Sequence, residues 1–463
     1  MSAIILDPIK DIFTQKLFDE NQGTRIGDSD NYYYIAIGRS QQWSPSNNSD
    51  VTVNPRDTER DQRLFRYNMQ SVKAVEAFSY VVPLYNWSSG TVYQAYNDNQ
   101  VGQPNQSYYI RTSTNNVYVC LRQGITSAGA AKVSVNAPTH TTTALPQEDD
   151  GYVWKYLYTI LTADANNFLT ANFMPVKYVD SAALTDPNYT QKTIQDAAIA
   201  GQILGYRVIN GGTGYSNSST VTITGDGTGA QAHVIASSGV IQKVVVGDSA
   251  DVGKAAEKPF LDALGSGYNY ASVSISGGNG NAKVVPIFGP KNGIGADARV
   301  DLRSTSIMFN VKPEGTVEGT WLVDNEYRQI GLLKNPLDSA AGTKFTETQG
   351  LALKKIEFAS PISELTWAND IQVFGTDSNA IGWIDYFDDS ATIWYHQDED
   401  TGFEQFSVSE VCTIEGKSGT HTIKSKTDRD IDIFSGDLLF VNNFDPVTRD
   451  VDQTEDIKLV VKL

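Results

Sequence analysis

Four histidines are the first residues to weigh for chemistry: His140, His233, His396 and His421. Imidazole suits acid–base catalysis and metal binding. These four are scattered, and no two have metal-ligand spacing. His233 falls beside an expected strand, where a surface position is expected. Cys120 and Cys412 lie far apart in the chain and read as small buried apolar residues rather than a metal or redox pair. The acidic turns Asp388-Asp389 and Asp398-Glu399-Asp400 invite a calcium reading, but neither has the spacing or the glycine of a calcium loop. Gly211-Gly212-Thr213-Gly214 and Gly277-Gly278-Asn279-Gly280 resemble phosphate cradles only in glycine content. A phosphate loop opens a helix, whereas β-forming residues follow here, so both read as hairpin turns. No Gly-x-Ser-x-Gly elbow marks an acyl-transfer serine. Among 54 acidic residues a close carboxylate pair arises by chance, so none is evidence for glycoside hydrolysis. No catalytic residue, metal ligand or cofactor site emerges. The chain is expected not to be an enzyme.

Aromatic residues are the enriched class. Tyr32, Tyr33, Tyr34, Tyr85, Trp87, Tyr93 and Tyr96 cluster early, and Trp383, Tyr386, Phe387, Trp394 and Tyr395 cluster late. Core filling and protein interface explain them best. The competing reading is a carbohydrate-binding face, which needs several rings, Trp383 and Trp394 among them, exposed together. A formal charge of −18 repels polyphosphate and argues against nucleic-acid binding. No stretch has the apolar length to cross a bilayer, and no small-molecule substrate is indicated. The first residues, Met1 to Pro8, have no positive n-region, so no signal peptide is expected and the protein is expected to be made in a cytoplasm.

Thirty-eight glycines, frequent Thr, Tyr and Val, and closely spaced turn signals predict a mostly β, multidomain protein with a few helices. The Tyr32 to Ile37 run reads as a strand closed by Gly38. Leu64, Phe65, Met69, Val72, Val75 and Phe78 recur at helical spacing and predict one or two helices over 57–78, ending before Pro83. A short helix is expected over 7–18. At the C-terminus Ile457, Leu459, Val461 and Leu463 share one face of a strand, with Lys458 and Lys462 on the other.

Residues 205–289 hold an internal repeat. Gly212-Thr213-Gly214-Tyr215, Val221-Thr222-Ile223 and Gly225 recur as Gly265-Ser266-Gly267-Tyr268, Val273-Ser274-Ile275 and Gly277. Each copy reads as one β-hairpin. Residues 180–200 read as the leading connector. A second unit, 345–432, reads as a small meander or barrel with strands at Trp383 to Phe387, Thr392 to His396 and Phe403 to Val411. The expected organisation is a discontinuous host β-domain, 1–185, 293–344 and 433–463, interrupted by small β-domains at 186–292 and 345–432.

Four blocks carry a resemblance. They are Tyr33-Tyr34-Ile35-Ala36-Ile37-Gly38-Arg39-Ser40 with Trp43; Asp149-Asp150-Gly151-Tyr152-Val153-Trp154-Lys155-Tyr156; Tyr327-Arg328-Gln329-Ile330-Gly331 with Asn335-Pro336; and Asp452 to Leu459. With Val82-Pro83, Gly90-Thr91-Val92-Tyr93, Tyr108-Tyr109, Met174-Pro175-Val176 and Gly293-Ile294-Gly295-Ala296-Asp297 in order between them, the chain resembles the baseplate wedge subunits of T-even-like contractile-tailed phages, the gene-eight product family. Ile294 stands where that family's element has histidine. The likeness covers 1–185, 293–338 and 433–463; the repeat and the 345–432 unit look like additions of longer relatives, such as those of cyanobacterial phages. The resemblance implies a non-enzymatic virion protein of the tail baseplate, assembled in the host cytoplasm. It implies a homodimer in contact with other wedge proteins, without cofactor, that takes part in baseplate assembly and contraction triggering.

Overall fold

The computed structural model describes residues 31–43, 52–100, 107–247, 260–313, 321, 325–362, 371–388, 391–449, 453 and 455–462. The helix expected over 7–18, together with Asp389, Asp452 and Leu463, lies outside them. The chain is mostly β with short helices, as its composition predicts, and it divides into two units. Residues 79–307 form the body of the first, and 31–78 with 308–460 the described body of the second.

The second unit is built on a five-stranded sheet in the order Gln349–Leu351, Met69–Ala74, Tyr33–Gly38, Asn325–Lys334, Asp437–Arg449. Tyr33–Gly38 is buried along its whole length and pairs antiparallel with Asn325–Lys334, Ala36 opposite Gly331. The predicted long helix is corrected here. Only Glu59–Tyr67 is helical; Met69–Ala74 and Ala77–Pro83 are strands. Thr58 caps the helix by accepting from the Asp61 amide at 3.1 Å, and Glu59 and Asp61 lie in its first turn, where carboxylates are favoured. Asn68 ends it. Met69–Ala74 lies inside the sheet, between Tyr33–Gly38 and Gln349–Leu351. It is covered on both faces, so no alternation of apolar and polar residues marks it as a strand. Phe65 is fully buried from the helix onto the sheet, in a core with Tyr34, Ala36, Met69, Val72 and Leu333.

Between Gln349–Leu351 and Asp437–Arg449 the chain makes a closed six-stranded barrel. Its strands are Lys354–Phe358, Gln372–Gly375, Ile381–Phe387, Thr392–His396, Val411–Ile414 and His421–Thr427. The last pairs with the first, which removes the sheet edges. Ile356, Val373, Ile384, Ile393, Cys412 and Ile423 fill the interior. Residues 403–410, expected as strand, are loop and turn, and strand begins only at Val411.

In the first unit, Tyr109–Arg111, Asn116–Arg122 and Val153–Thr159 form a three-stranded sheet. Tyr80 to Pro83 pairs with Phe173–Val176. The 180–200 connector contains a helix, Tyr189–Asp196, which buries Ile194 against Tyr156 and Trp154.

The repeat copies are not hairpins. Each strand pairs with the other copy. Ile203–Asn210, which opens the first copy, pairs with Lys283–Phe288, which closes the second. Ala232–Ser237, which closes the first, pairs with Val240–Val246, which opens the second. Between them Val221–Gly225 pairs with Ala271–Ile275, Thr222 opposite its own counterpart Ser274, with Ile223 opposite Val273 and Val221 opposite Ile275. A local twofold axis therefore passes through the Thr222–Ser274 pair. The tyrosines obey it: the Tyr215 amide donates to the Gly239 carbonyl at 2.9 Å and the Tyr268 amide to Gly201 at 3.1 Å. A Cβ on Gly278 would stand 2.6 Å from the Tyr215 ring, and one on Gly227 2.4 Å from the Tyr268 ring. Each Gly-x-Gly-Tyr tyrosine thus needs a glycine of the opposite copy, so neither copy can complete its core alone.

Candidate functional site

The Asp149 to Tyr156 block is consumed by folding. Asp150 is 6% exposed. Its Oδ2 accepts from the Val135 amide at 2.8 Å, the Asn136 amide at 3.1 Å and the Ser134 hydroxyl at 3.1 Å, while Oδ1 accepts from the Tyr152 amide at 3.1 Å. One carboxylate thereby ties the 134–136 loop to the start of Val153–Thr159. Gly151 follows it at φ +90°, a region open to glycine. Tyr152 stacks on Trp154 with centroids 5.6 Å apart, and its hydroxyl donates to the Lys132 carbonyl at 2.8 Å. Lys155 is buried next to Gly295, where a Cβ would come within 2.4 Å of its Cε. Asp301 is fully buried, accepts from the Gly295 amide at 2.8 Å, and is pushed well up by loss of solvation despite that amide and Lys155. The Lys155 ammonium is pulled down by burial, with Asp301 opposing. The Gly293 to Asp297 element therefore serves to seat Lys155 and Asp301; Ile294 is buried there.

Glu148, just before this block, is pushed up to about 7, first by burial and then by the Asp150 and Asp149 carboxylates. Its ordinary value is 4.5. The folded state therefore holds the proton more tightly, and Glu148's contribution to stability is present below about pH 4.5 and is lost as pH rises to about 7. Glu148→Gln should remove that loss. Its gain in Tm over the parent should grow from pH 5 to pH 8 in thermal melts; a difference flat with pH would contradict the assignment.

Of the histidines, His396 joins a polar cluster with a carboxylate and a hydroxyl. Its Nδ1 lies 2.6 Å from Asp385 Oδ2, and the Ser40 hydroxyl donates to Asp385 Oδ1 at 2.5 Å. Arg328 donates to the Ser40 carbonyl. Serine, aspartate and histidine meet, but in the wrong order for acyl transfer, where the imidazole must stand between hydroxyl and carboxylate. Here the carboxylate stands between. Asp385 and His396 are wholly shut from solvent, and His396 Nε2 has no hydrogen-bond partner among the described residues. The cluster clips the turn after Tyr33–Gly38 to the barrel. Sequence spacing could not reveal it, because Ser40 and Asp385 are separated by 345 positions.

The surface position expected for His233 is corrected: it is 7% exposed in Ala232–Ser237, with Nδ1 3.1 Å from the Gly247 carbonyl. The pairing of Ala232–Ser237 with Val240–Val246 encloses it. His140 contacts the Trp154 carbonyl through Nε2 at 3.1 Å, and burial pulls its imidazole down. His421 packs on Phe358 and is likewise pulled down by burial. Cys120 and Cys412 are buried free thiols, both raised by burial. Among the described residues no three His, Cys, Asp or Glu side chains converge to hold a metal ion. The acidic turns cap their own backbone. Asp388 Oδ1 accepts from the Ala391 and Thr392 amides, and Asp398 Oδ1 from those of Asp400 and Thr401.

Trp383 and Trp394 do not form a sugar platform. Trp394 is 8% exposed, packed with Leu351, Leu353 and Tyr386, and the Trp383 indole donates to Asp398 at 3.2 Å. In the second unit the exposed rings lie away from these tryptophans. Tyr67, at the end of Glu59–Tyr67, lies 5.1 Å from Phe403 and 5.8 Å from Phe434 between ring centroids. Phe403 is 49% and Phe434 58% exposed. Arg66 holds the Phe434 turn in place by donating to the carbonyls of Ile433, Ser435 and Gly436. Arg60 pairs with Glu399 at 2.8 Å. Aromatic anchors accompanied by exposed charge have the make-up of a protein contact surface.

Comparison with known protein families found no matching family model, and comparison with curated proteins found no match.

Proposed function

We propose that the chain is a structural virion protein, a baseplate wedge subunit of a contractile phage tail. It acts as a homodimer, links neighbouring wedge proteins, and takes part in baseplate assembly and contraction triggering. One observation carries the reading: the blocks that bear the family resemblance meet in pairs across long stretches of chain. Tyr33–Gly38 lies against Asn325–Lys334 in one sheet, and the Asp149 to Tyr156 block meets the Gly293 to Asp297 element at Lys155 and Gly295. Their side chains are spent on strand pairing, carboxylate turns and glycine slots, which is what fold and assembly determinants require. The Tyr67–Phe403–Phe434 cluster supplies aromatic anchors for contact.

Phage particles made without this chain should have normal heads and no assembled baseplate; intact contractile tails in its absence would overturn the reading. Sedimentation of the purified protein at micromolar concentration should give twice the 50.6 kDa chain mass. A single species at the chain mass would contradict the dimer.

A further inference from the structure

An asparagine followed by glycine can react with its own backbone. The glycine nitrogen and the side-chain amide carbon are held close within one chain, and glycine has no Cβ to block the approach. Three such pairs occur here, Asn210-Gly211, Asn279-Gly280 and Asn292-Gly293, all in the first unit. The fold withholds two of them. Gly293 is buried, its amide donates to the Pro290 carbonyl at 2.8 Å, and a Cβ there would stand 2.3 Å from the Ile199 oxygen. Asn210 is fixed in Ile203–Asn210 opposite Lys283. The Gly211 carbonyl accepts from the Ile241 amide at 3.0 Å, and a Cβ on Gly211 would stand 2.5 Å from the Ile241 oxygen. Closing a ring at either place means breaking contacts of this kind.

Asn279-Gly280 is different in each respect. Both residues are exposed, the Gly280 amide donates to no acceptor among the described residues, and nothing stands within 4 Å of where a Gly280 Cβ would be. The nucleophile is therefore free, with room and water around it. Asn279 Oδ1 accepts from the Asn281 amide at 3.1 Å, which folds the side chain back over the Gly280 peptide. It also accepts from the Thr213 amide at 3.2 Å, while the Asn279 amide donates to the Thr213 carbonyl at 2.9 Å. Asn210 Oδ1, by contrast, has a single backbone donor, the Gly212 amide at 3.0 Å. Two backbone N–H groups aimed at the oxygen that turns negative during attack are the parts of an oxyanion hole. We propose that Asn279 is a site of spontaneous deamidation, through a cyclic imide formed with the Gly280 nitrogen. That nitrogen bonds to Asn279 Cγ, the Cγ–Nδ2 bond breaks, and Nδ2 leaves as ammonia with the proton that Gly280 gives up. Water then opens the imide at either carbonyl, leaving aspartate or isoaspartate at 279. Each product adds a negative charge, and isoaspartate also lengthens the main chain by one methylene where Thr213 joins the two repeat copies. The inference does not depend on the wedge reading.

The test is to age the full chain in mildly alkaline buffer, folded and in urea, and to follow all three pairs by peptide mass spectrometry. In the folded protein the peptide holding Asn279 should gain one dalton at least tenfold faster than those holding Asn210 or Asn292. Methylation by an isoaspartate methyltransferase should appear at the same position. In urea the three sites should react at similar rates, so that folding slows Asn210 and Asn292 but not Asn279. Gly280→Ala should lower the rate at 279 tenfold or more. If that variant disturbs the turn, the folded-against-urea comparison in the parent protein still decides. The proposal fails if Asn279 in the folded chain outlasts Asn210 or Asn292, or reacts much more slowly than it does in urea. It also fails if Gly280→Ala, with an unchanged melting curve, leaves the rate as it was.

Discussion

Replacing Asp150 with alanine should destabilise the first unit by about 4 kcal/mol or more, beyond the usual range for a point substitution. The size follows from what the carboxylate holds. Three backbone amides and the Ser134 hydroxyl all donate to it in a site that water scarcely reaches. Hydrogen bonds to charged groups contribute roughly 1.5–3 kcal/mol each, and each donor left buried without a partner adds a penalty of about 1–3 kcal/mol. Those terms are not additive, because the loop relaxes once it is released. Asp150→Asn keeps one acceptor oxygen but turns an NH₂ toward the amides, so its loss should be intermediate. Asp149 is exposed, and Asp149→Ala should stay within about 0.5 kcal/mol. Urea unfolding gives the stabilities. Hydrogen exchange adds a local readout: the Val135, Asn136 and Tyr152 amides should exchange far faster in the alanine variant. Equal effects of Asp149→Ala and Asp150→Ala would refute the account of this block.

The second large effect is expected at Gly331. A Cβ there would stand 2.5 Å from Phe65 Cζ and 2.6 Å from Cε1, closer than atoms approach without displacement. Gly331 lies in a central strand, opposite Ala36 on one side and Val441 on the other. The ring of Phe65 fills the space over it. Gly331→Ala should cost about 1–3 kcal/mol by overpacking, and Gly331→Val more. Phe65→Leu alone should also destabilise, by leaving part of the core unfilled. Together with Gly331→Ala it should cost less than the sum of the two, because the smaller side chain leaves room for the new methyl group. A strictly additive double-mutant cycle would show that the glycine serves something other than Phe65.

These two positions also show how far the fold was legible in the sequence. The blocks around Gly331 and Asp150 stood out as motifs, but their roles depend on residues far away in the chain. Gly331 answers to Phe65 and Asp150 to the 134–136 loop. The C-terminal strand was readable because Ile457 and Leu459 alternate with half-buried neighbours. Met69–Ala74 was not, because both its faces are covered and Met69, Val72 and Val75 happened to fall at helical spacing. The barrel was foreseeable from strands and turns, although 403–410 looked like a strand through residue type alone. The repeat was visible as a repeat. Its pairing was hidden, since turn, strand, turn and strand describe a hairpin and an exchanged twofold pair equally well. The Ser40–Asp385–His396 cluster left no local signal at all. Its members are brought together only when the barrel closes beside the sheet.

A near-atomic reconstruction of the intact contractile tail tests the central claim most directly. The account predicts density for this chain within the baseplate wedge, in pairs of copies, with the strands Tyr33–Gly38 and Asn325–Lys334 joined in one sheet and the Tyr67–Phe403–Phe434 rings covered by a neighbouring subunit. A tail in which every wedge position is filled by other proteins, or a chain present only as single copies with those rings facing solvent, would contradict it.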